Sequence, residues 1–156
     1  MKIETIEIAK LRFDPKNARK HGKKNLDAIA GSLESFGQRK PIVIDSNNVI
    51  VAGNGTAEAA RFLGWTKIDC VRVPDDWAED EVKAFALADN RTSELAEWDK
   101  DVLTKQLLDL QEIGFDVSLI GFDGVEESVA DFEAVEELPR LDQKAKTVCP
   151  NCKHEF

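Results

Sequence analysis

The sequence has no apolar run that approaches the roughly 18 residues of a membrane-spanning helix, and its first residues do not resemble a signal peptide. Cysteine is scarce, with three in the chain and two of those within the last eight residues. An odd number of cysteines in this arrangement does not form a disulfide framework. The sequence therefore argues against a secreted or membrane-embedded protein and indicates a reducing, cytoplasmic setting.

The composition indicates a folded protein whose charge is divided unevenly along the chain. Of its 156 residues, 42% are hydrophobic and 33% are charged, which fits one globular domain with a tail. Residues 1–73 contain 13 basic and 8 acidic residues, whereas residues 74–156 contain 8 basic and 22 acidic ones. The basic half can form an anion-binding face, or the acidic half can fold over it and neutralise it. The net charge of −9 argues against a protein that simply coats nucleic acid.

Hydrophobic periodicity and turn residues predict a series of strands and helices. The first predicted elements are a strand over 3–8, a helix capped by Asn25 and ended by Gly37, and a hairpin of 41–44 with 49–52. The later ones are a helix over 57–63, a strand over 68–73, a helix from an Asp76–Glu79 capping box to about Ala88, and a helix capped by Asp99 and ended by Gly114. This order predicts an α+β domain over residues 1–122, with a short mixed sheet packed by helices. An acidic segment and linker (123–148) and a CxxC tail (149–156) are predicted to follow it.

The strongest motif is the turn Gly53-Asn54-Gly55-Thr56, which joins the second hairpin strand directly to a helix. Two glycines let a ligand approach the main chain closely. The unpaired N–H groups at a helix start, together with the helix dipole, form a site for phosphate. A tight structural connection is the alternative that the motif alone leaves open.

Two further polar segments contribute candidate ligands. One is Gly37-Gln38-Arg39-Lys40-Pro41, at the end of the first helix, and the other is Asp89-Asn90-Arg91-Thr92-Ser93-Glu94. The carboxylate and amide oxygens of Asp89, Asn90 and Glu94 are ligands that suit Mg²⁺. A solvated loop and a helix C-terminal turn are the respective structural alternatives.

These segments, in this order, resemble the ParB/sulfiredoxin superfamily, and specifically the ParB N-terminal-like ("ParB-like nuclease") domains of phages and mobile elements. The resemblance covers roughly residues 3–122. It includes Asn17-Ala18-Arg19-Lys20-His21, the two glycine boxes and Leu87-Ala88-Asp89-Asn90-Arg91. The run through Glu94, Trp98-Asp99 and Gly121-Phe122-Asp123 is typical of the branch associated with DNA-modification methylases.

The resemblance implies a nucleotide site. In segregation-type ParB the first box helps to form a CTP pocket, and Gly37, Gln38 and Pro41 keep its pattern. The second box of that family carries three arginines that hold the triphosphate. All three are absent here, and Asn54 stands where sulfiredoxin has its catalytic cysteine. The basic residues that can contribute to the implied site are Arg39, Lys40, Arg61 and Arg91.

The third box of the family binds Mg²⁺ through a Glu-Asn pair, which Asp89-Asn90 preserves conservatively. The resemblance therefore implies Mg²⁺, with ATP or CTP as the nucleotide. The nuclease named by the family would need two or more convergent carboxylates, or a histidine, near the metal. The catalytic candidates are Glu58, Asp89 and Glu94, and His21 is equally a surface or capping residue.

Contact with DNA is assigned to a basic stretch, because only one predicted helix follows the third box and no helix-turn-helix module remains to read bases. Such residues contact phosphates rather than bases. They are Lys16, Arg19, Lys20, Lys23 and Lys24. A solvated lysine-rich loop is the alternative.

The C-terminal run Cys149-Pro150-Asn151-Cys152-Lys153-His154 has the spacing of one zinc knuckle, with Cys149, Cys152 and His154 as ligands. The sequence contains no second knuckle. A complete zinc site therefore needs another protein or a second copy of the chain, as in a homodimer, and a reduced tail without metal is the alternative. Cys70 lies in an apolar strand and is predicted to belong to the core.

The sequence thus predicts a DNA-associated protein of a phage or mobile element that binds nucleotide or nucleic-acid phosphate with Mg²⁺. DNA modification, partition and regulation are the expected processes, and a DNA methylase or another phage protein is the expected partner. The alternative is an enzyme of the same superfamily, either a metal-dependent nuclease or a nucleotide hydrolase or kinase. Loss of the arginines and of the nucleophile favours the non-catalytic protein.

Overall fold

A computed structural model describes residues 2–125, which belong to the first of two units into which the chain divides after Val125. Five strands and four helices follow one another in this range, with short 3₁₀ turns at Ile8–Lys10 and Val117–Ile120. Their bounds are β1 Ile3–Glu7, β2 Arg12–Phe13, α1 Lys23–Phe36, β3 Ile42–Ile44, β4 Val49–Ala52, α2 Asn54–Phe62, β5 Lys67–Arg72, α3 Glu79–Glu94 and α4 Lys100–Glu112. None of the helices in the described range is long and apolar enough to cross a membrane.

The strands form one mixed sheet in the order β1-β5-β3-β4-β2. β5 lies between antiparallel β1 and parallel β3, and β4 lies between antiparallel β3 and parallel β2. The hairpin of β3 and β4 closes through Asp45, whose side chain accepts the N–H groups of Asn47 and Val49 at 2.8 and 2.7 Å. This architecture confirms the predicted α+β class with a short mixed sheet.

The hydrophobic core lies where α1 and α2 pack against the sheet. The side chains of Ile44, Ile50, Ile68 and Cys70 are its largest fully buried members, which confirms the core position predicted for Cys70. α2 contributes buried alanines at 57, 59 and 60, whose small side chains let the helix approach the strands closely. Close packing on this side fixes the position of the first turn of α2.

Helices α1 and α2 begin earlier than the sequence predicted. α1 starts after Gly22, and Asn25 is not its cap, because the Asn25 side-chain oxygen instead lies 2.7 Å from His21 Nδ1. α2 starts at Asn54 rather than at residue 57, because Gly53 adopts φ 93° and the residues directly after it are already helical. The Gly-x-Gly motif therefore belongs to the first turn of α2 and is not a loop before the helix.

The start of α3 also differs from the prediction. The helix begins at Glu79, and the side chain of Glu81 accepts the N–H of Ala78 at 2.7 Å. The capping interaction predicted for Asp76 with Glu79 therefore lies two residues too early. Several acidic residues follow one another here, so the spacing rule alone does not select the pair that caps the helix.

α3 continues to Glu94, past the predicted end at Ala88. Two polar side chains near its end form hydrogen bonds to main-chain carbonyls of the same helix. Asn90 Nδ2 donates to Ala86 O at 2.8 Å, and Thr92 Oγ1 donates to Ala88 O at 2.9 Å. Bonds back to the preceding turn remove the competition with the helix that these residue types normally offer. The polar box at 89–94 thus forms the C-terminal end of α3, which agrees with the helix C-terminal turn that the sequence left open.

The end of the described range shows one confirmed cap. Asp99 accepts the N–H groups of Asp101 and Val102 at 3.2 and 3.1 Å, as predicted for α4. Strand β2 was not predicted, because a strand of two residues carries no periodicity. The remainder of the predicted acidic segment, and the zinc candidates Cys149, Cys152 and His154, lie outside the described residues.

Candidate anion-binding site

A cleft of about 160 Å³ lies at the start of α2. Five parts of the chain line it: the end of β4, the first turn of α2, the segment 17–21 before α1, Ile29 of α1, and the polar box of α3. The lining residues are Asn17, Arg19, His21, Ile29, Val51, Ala52, Gly53, Asn54, Gly55, Thr56, Asp89 and Asn90. The volume is smaller than the ~300–1,000 Å³ of pockets that enclose a drug-sized ligand. The cleft is therefore the size for one small group such as a phosphate, with the rest of a larger ligand outside.

The first turn of α2 presents main-chain donors to this cleft. No side chain caps the helix, so the N–H groups of Asn54, Gly55 and Thr56 have no partner within it. The geometry depends on Gly53, because a Cβ there would combine φ 93° with a 2.7 Å approach to Ile42 Cγ2. Unpaired N–H groups and the positive end of the helix dipole favour an anion at this point.

Asn54 is the buried polar residue of the site. Its side chain is 9% exposed, and its Oδ1 has no hydrogen-bond partner among the described residues. A buried polar atom without a partner costs free energy and calls for an explanation. Asn54 lines the cleft, and because an amide oxygen only accepts hydrogen bonds, the side-chain N–H groups of Asn54, and not this oxygen, can contact an anion there.

His21 lies against the start of α2, and this contact requires a glycine. A Cβ at Gly55 would lie 2.8 Å from both Nδ1 and Cε1 of His21 and 3.0 Å from Ile29 Cδ1. The ring is half-buried and is held by the 2.7 Å contact with Asn25. The second glycine of the motif thus admits an imidazole to the cleft, a role that the sequence left undefined for His21.

Arg19 connects the segment before α1 to α3. Its Nη1 donates to Asn90 Oδ1 at 2.8 Å, across a separation of 71 residues. Asn90 Nδ2 in turn donates to Ala86 O at 2.8 Å, so both ends of this amide have partners. Arg19, which the sequence placed among the DNA-backbone contacts, therefore lies at the cleft.

The Asp89–Asn90 pair does not fit Mg²⁺ as the side chains stand. The Asn90 oxygen that would bind the ion accepts the guanidinium of Arg19. A divalent cation at that oxygen would lie beside a like charge, which is unfavourable. Within residues 2–125, no three His, Cys, Asp or Glu side chains converge to hold a metal.

The first glycine box is engaged in the sheet and does not line the cleft. Gln38 Nε2 donates to Asp69 O at 2.8 Å, and Gln38 Oε1 accepts the Asp69 N–H at the same distance. These two hydrogen bonds join β5 to the segment that immediately precedes β3. Arg39 Nε donates to Phe36 O at 2.6 Å, at the C-terminus of α1. The predicted nucleotide-binding residues Gly37, Gln38, Arg39, Lys40 and Pro41 thus lie outside the cleft.

Other predicted site residues also lie outside it. Arg61 is in the last turn of α2, ~10 Å along the axis from the helix start. Glu58 is exposed on the same helix, and Arg91 and Glu94 pair with each other at 3.2 Å on α3. In the described part of the chain, Glu58, Asp89 and Glu94 do not form a metal-binding cluster. The geometry therefore gives no support to the predicted nuclease centre.

Within residues 2–125, no cysteine lies among the residues that line the cleft. Cys70 is fully buried in β5, and burial, aided by the nearby Asp69 charge, raises the pKa of its thiol to about 11. A thiol with this pKa is not a nucleophile near neutral pH.

The basic stretch over residues 16–24, which ends in the first turn of α1, is exposed and partly neutralised. Lys23 pairs with an aspartate one turn further along α1, and Lys24 Nζ lies 3.1 Å from Asp123. Lys16 and Lys20 form no ion pair within residues 2–125. Asp123 opens the predicted acidic segment, so one contact exists between that segment and the basic stretch. Exposed pairs of this kind contribute at most ~1 kcal/mol.

Comparison with known proteins identifies relatives of this fold. The chain is 37% identical over 57 residues to the ParB-like nuclease domain-containing protein YnaK of Escherichia coli (strain K12), and this match covers 36% of the chain and 62% of the relative. No family model matches the chain.

Two solved structures share its architecture. The C-terminally truncated chromosome-partitioning protein ParB from Caulobacter crescentus, complexed with CTP-γ-S, superposes with a TM-score of 0.62 at 16% identity, over 79% of this chain and 73% of that one. A Pnob8-like ParB-N domain superposes with a TM-score of 0.50 at 19% identity, over 72% of this chain and 44% of that one. The chain therefore has the fold of these ParB domains, which the resemblance of its ordered motifs predicted.

Proposed function

We propose that this domain binds a phosphate group of a nucleotide or nucleic acid at the first turn of α2, and that it acts as a binding protein in a DNA-associated process. The observation that carries the proposal is the first turn of α2, whose main-chain N–H groups have no capping side chain and lie in a cleft that Arg19 and the Asn54 side chain also line. These donors make an anion the ligand class that the cleft favours.

The charged side chains of the cleft support the same ligand class. Arg19 brings a guanidinium with five N–H donors, of which one is used by Asn90. Asp89 is the one carboxylate among the lining residues. The formal charges of Arg19 and Asp89 offset each other, so the positive end of the α2 dipole supplies the net attraction for a phosphate on the α2 side of the cleft.

CTP is the first nucleotide to test, because the Caulobacter ParB structure is a complex with CTP-γ-S, and ATP is the second because the sequence resemblance implies it. Absence of the three arginines of the second box leads us to expect weaker binding than a full triphosphate grip provides. Binding without catalysis is favoured over nuclease, hydrolase or kinase activity, since the carboxylate candidates do not converge in the described range. Action beside a DNA methylase or another phage protein stays a prediction from the sequence.

Calorimetric titration of the full chain with CTP, ATP and a short DNA duplex tests this proposal. We expect saturable binding of at least one of these ligands. Asn54→Ala should lower that affinity about tenfold, the loss of one hydrogen bond to a charged ligand. The matched control Asn47→Ala, in the exposed β3–β4 turn, should not change it. Absence of binding by all three ligands, or equal binding by wild type and Asn54→Ala, would contradict the proposal.

The DNA titration also distinguishes the cleft from the basic stretch. If DNA binds through the exposed lysines alone, Asn54→Ala has no effect on its affinity. Lys16→Ala and Lys20→Ala would then each reduce the slope of log K against log salt by about 0.9. If DNA phosphate enters the cleft, Asn54→Ala weakens DNA binding and nucleotide competes with DNA.

A further inference from the structure

The hydrogen bond between Arg19 and Asn90 indicates which cation in the cleft balances the negative charge of a bound phosphate. We propose that the Arg19 guanidinium takes the place of a divalent cation at Asp89–Asn90, so that the phosphate ligand binds without Mg²⁺. This inference rests on the proposed function, since it concerns the same cleft.

The first step is the orientation of Asn90. Its Oδ1 accepts Arg19 Nη1 at 2.8 Å, and its Nδ2 donates to Ala86 O at 2.8 Å. The Nδ2 contact is made within α3, and it keeps the oxygen directed toward Arg19. Release of that oxygen to a metal would break the hydrogen bond to a charged donor and leave Arg19 beside the metal.

The second step is the position of Arg19 itself. The main-chain N–H of Arg19 donates to Asn17 Oδ1 at 3.1 Å, a local turn that fixes the segment before α1. The guanidinium uses Nη1 for Asn90, and no other hydrogen bond of this group is formed in the described range. Its remaining donors have the planar geometry that suits two phosphate oxygens.

The third step concerns the charge that a ligand meets. Mg²⁺ in solution binds the phosphates of CTP and lowers their negative charge, so it weakens attraction to a site that supplies its own cation. A site that uses Mg²⁺ behaves in the opposite way, because the metal then bridges the ligand to the protein. The effect of Mg²⁺ on affinity therefore separates the two arrangements.

The experiment is calorimetric titration of the full chain with CTP and with a short DNA duplex, in excess Mg²⁺ or excess EDTA at matched ionic strength. Wild type should bind in EDTA at least as tightly as in Mg²⁺. Arg19→Ala should lose about tenfold or more in EDTA, and Mg²⁺ should restore part of that loss because the Asn90 oxygen is released. Arg19→Lys keeps the charge but not the planar set of donors, so it should recover only part of the affinity that Arg19→Ala loses.

Arg12→Ala is the matched control, because it removes the same charge from an exposed arginine of β2 outside the cleft. It should leave the affinity unchanged, and thermal unfolding of each variant verifies the fold. Wild-type binding in Mg²⁺ that is lost in EDTA would overturn the inference and leave the proposed function intact. Undiminished binding by Arg19→Ala in EDTA would also overturn it. Absence of wild-type binding in both buffers refutes the proposed function itself, and the inference with it.

Discussion

Replacement of Asn54 by alanine should raise the stability of the folded protein while it weakens ligand binding. The Asn54 side chain is 9% exposed, and its oxygen has no partner in the described part of the chain. Such an oxygen is solvated in the unfolded chain and unsatisfied in the folded one. Its removal therefore favours the folded state, which is unusual for the truncation of a buried residue.

The expected size follows from three terms. Removal of the unpaired oxygen stabilises the folded state by ~1–3 kcal/mol. The higher helix propensity of alanine at the start of α2 stabilises it by a further ~0.5 kcal/mol at most. Loss of packing around the truncated side chain offsets roughly 1 kcal/mol. The net gain in the free energy of unfolding is about 1 kcal/mol, which corresponds to a Tm increase of ~3–5 °C for a domain of this size.

Urea denaturation of wild type, Asn54→Ala and Asn47→Ala measures this effect, with the CTP titration in parallel. Asn47 lies in the exposed β3–β4 turn, so its replacement should change the free energy of unfolding by less than ~0.5 kcal/mol. Destabilisation by Asn54→Ala of more than about 1 kcal/mol, combined with unchanged CTP affinity, would refute the reasoning. Asn54 would then be a packing residue and not a ligand contact.

Three further predictions concern single positions. Gly53→Ala should lower the free energy of unfolding by about 2 kcal/mol or more in urea denaturation. Both φ 93° and the 2.7 Å approach to Ile42 Cγ2 oppose a Cβ at this position. A decrease of less than about 0.5 kcal/mol would contradict this prediction. Gly55→Ala should change the free energy of unfolding by less than ~1 kcal/mol, because the higher helix propensity of alanine offsets the cost of displacing the His21 ring. Calorimetry should nevertheless show weaker CTP binding by this variant. Unchanged CTP affinity would refute a role for the His21 ring. The pKa of the Cys70 thiol is raised from 9.0 to about 11 in the folded protein. As pH rises through this interval, the free energy of unfolding of wild type, measured by urea denaturation, should fall by ~2–3 kcal/mol relative to Cys70→Ala. Parallel pH profiles of the two proteins would contradict this prediction.

Local chemistry accounts for the parts of the fold that the sequence predicts. The β3–β4 hairpin depends on Asp45 and its immediate neighbours, and the start of α4 depends on Asp99 and the next three residues. Both signals lie within four residues of the element that they define. The turn between β4 and α2 was predicted for the same reason, because Gly53 and the residues after it are contiguous in the chain.

Parts of the site were beyond prediction because their partners are remote in the chain. Arg19 meets Asn90 across 71 residues, and Gln38 meets Asp69 across 31. Each of these side chains has a polar character that suits a ligand contact and an internal contact equally well. Only the packing of the segments decides between them, and it places Arg19 at the cleft and Gln38 in the sheet.

The polar box of α3 illustrates a different limit. Asp, Asn, Thr and Ser favour helix ends because their side chains compete for the backbone. In α3 the side chains of Asn90 and Thr92 bond back to carbonyls of the preceding turn, so the helix continues to Glu94. Propensity describes the isolated segment, and here the side-chain groups have partners within the helix and do not end it at Ala88.

The most direct test of the central claim is an amide-resolved NMR titration of the full chain with CTP. The account predicts saturable shifts concentrated on the main-chain N–H groups of Asn54, Gly55 and Thr56, with a parallel change at the Arg19 guanidinium. Shifts centred on Gln38 to Lys40, or no saturable shift at the start of α2, would contradict it. In that case the phosphate site proposed here is wrong, whatever the affinity measured by calorimetry.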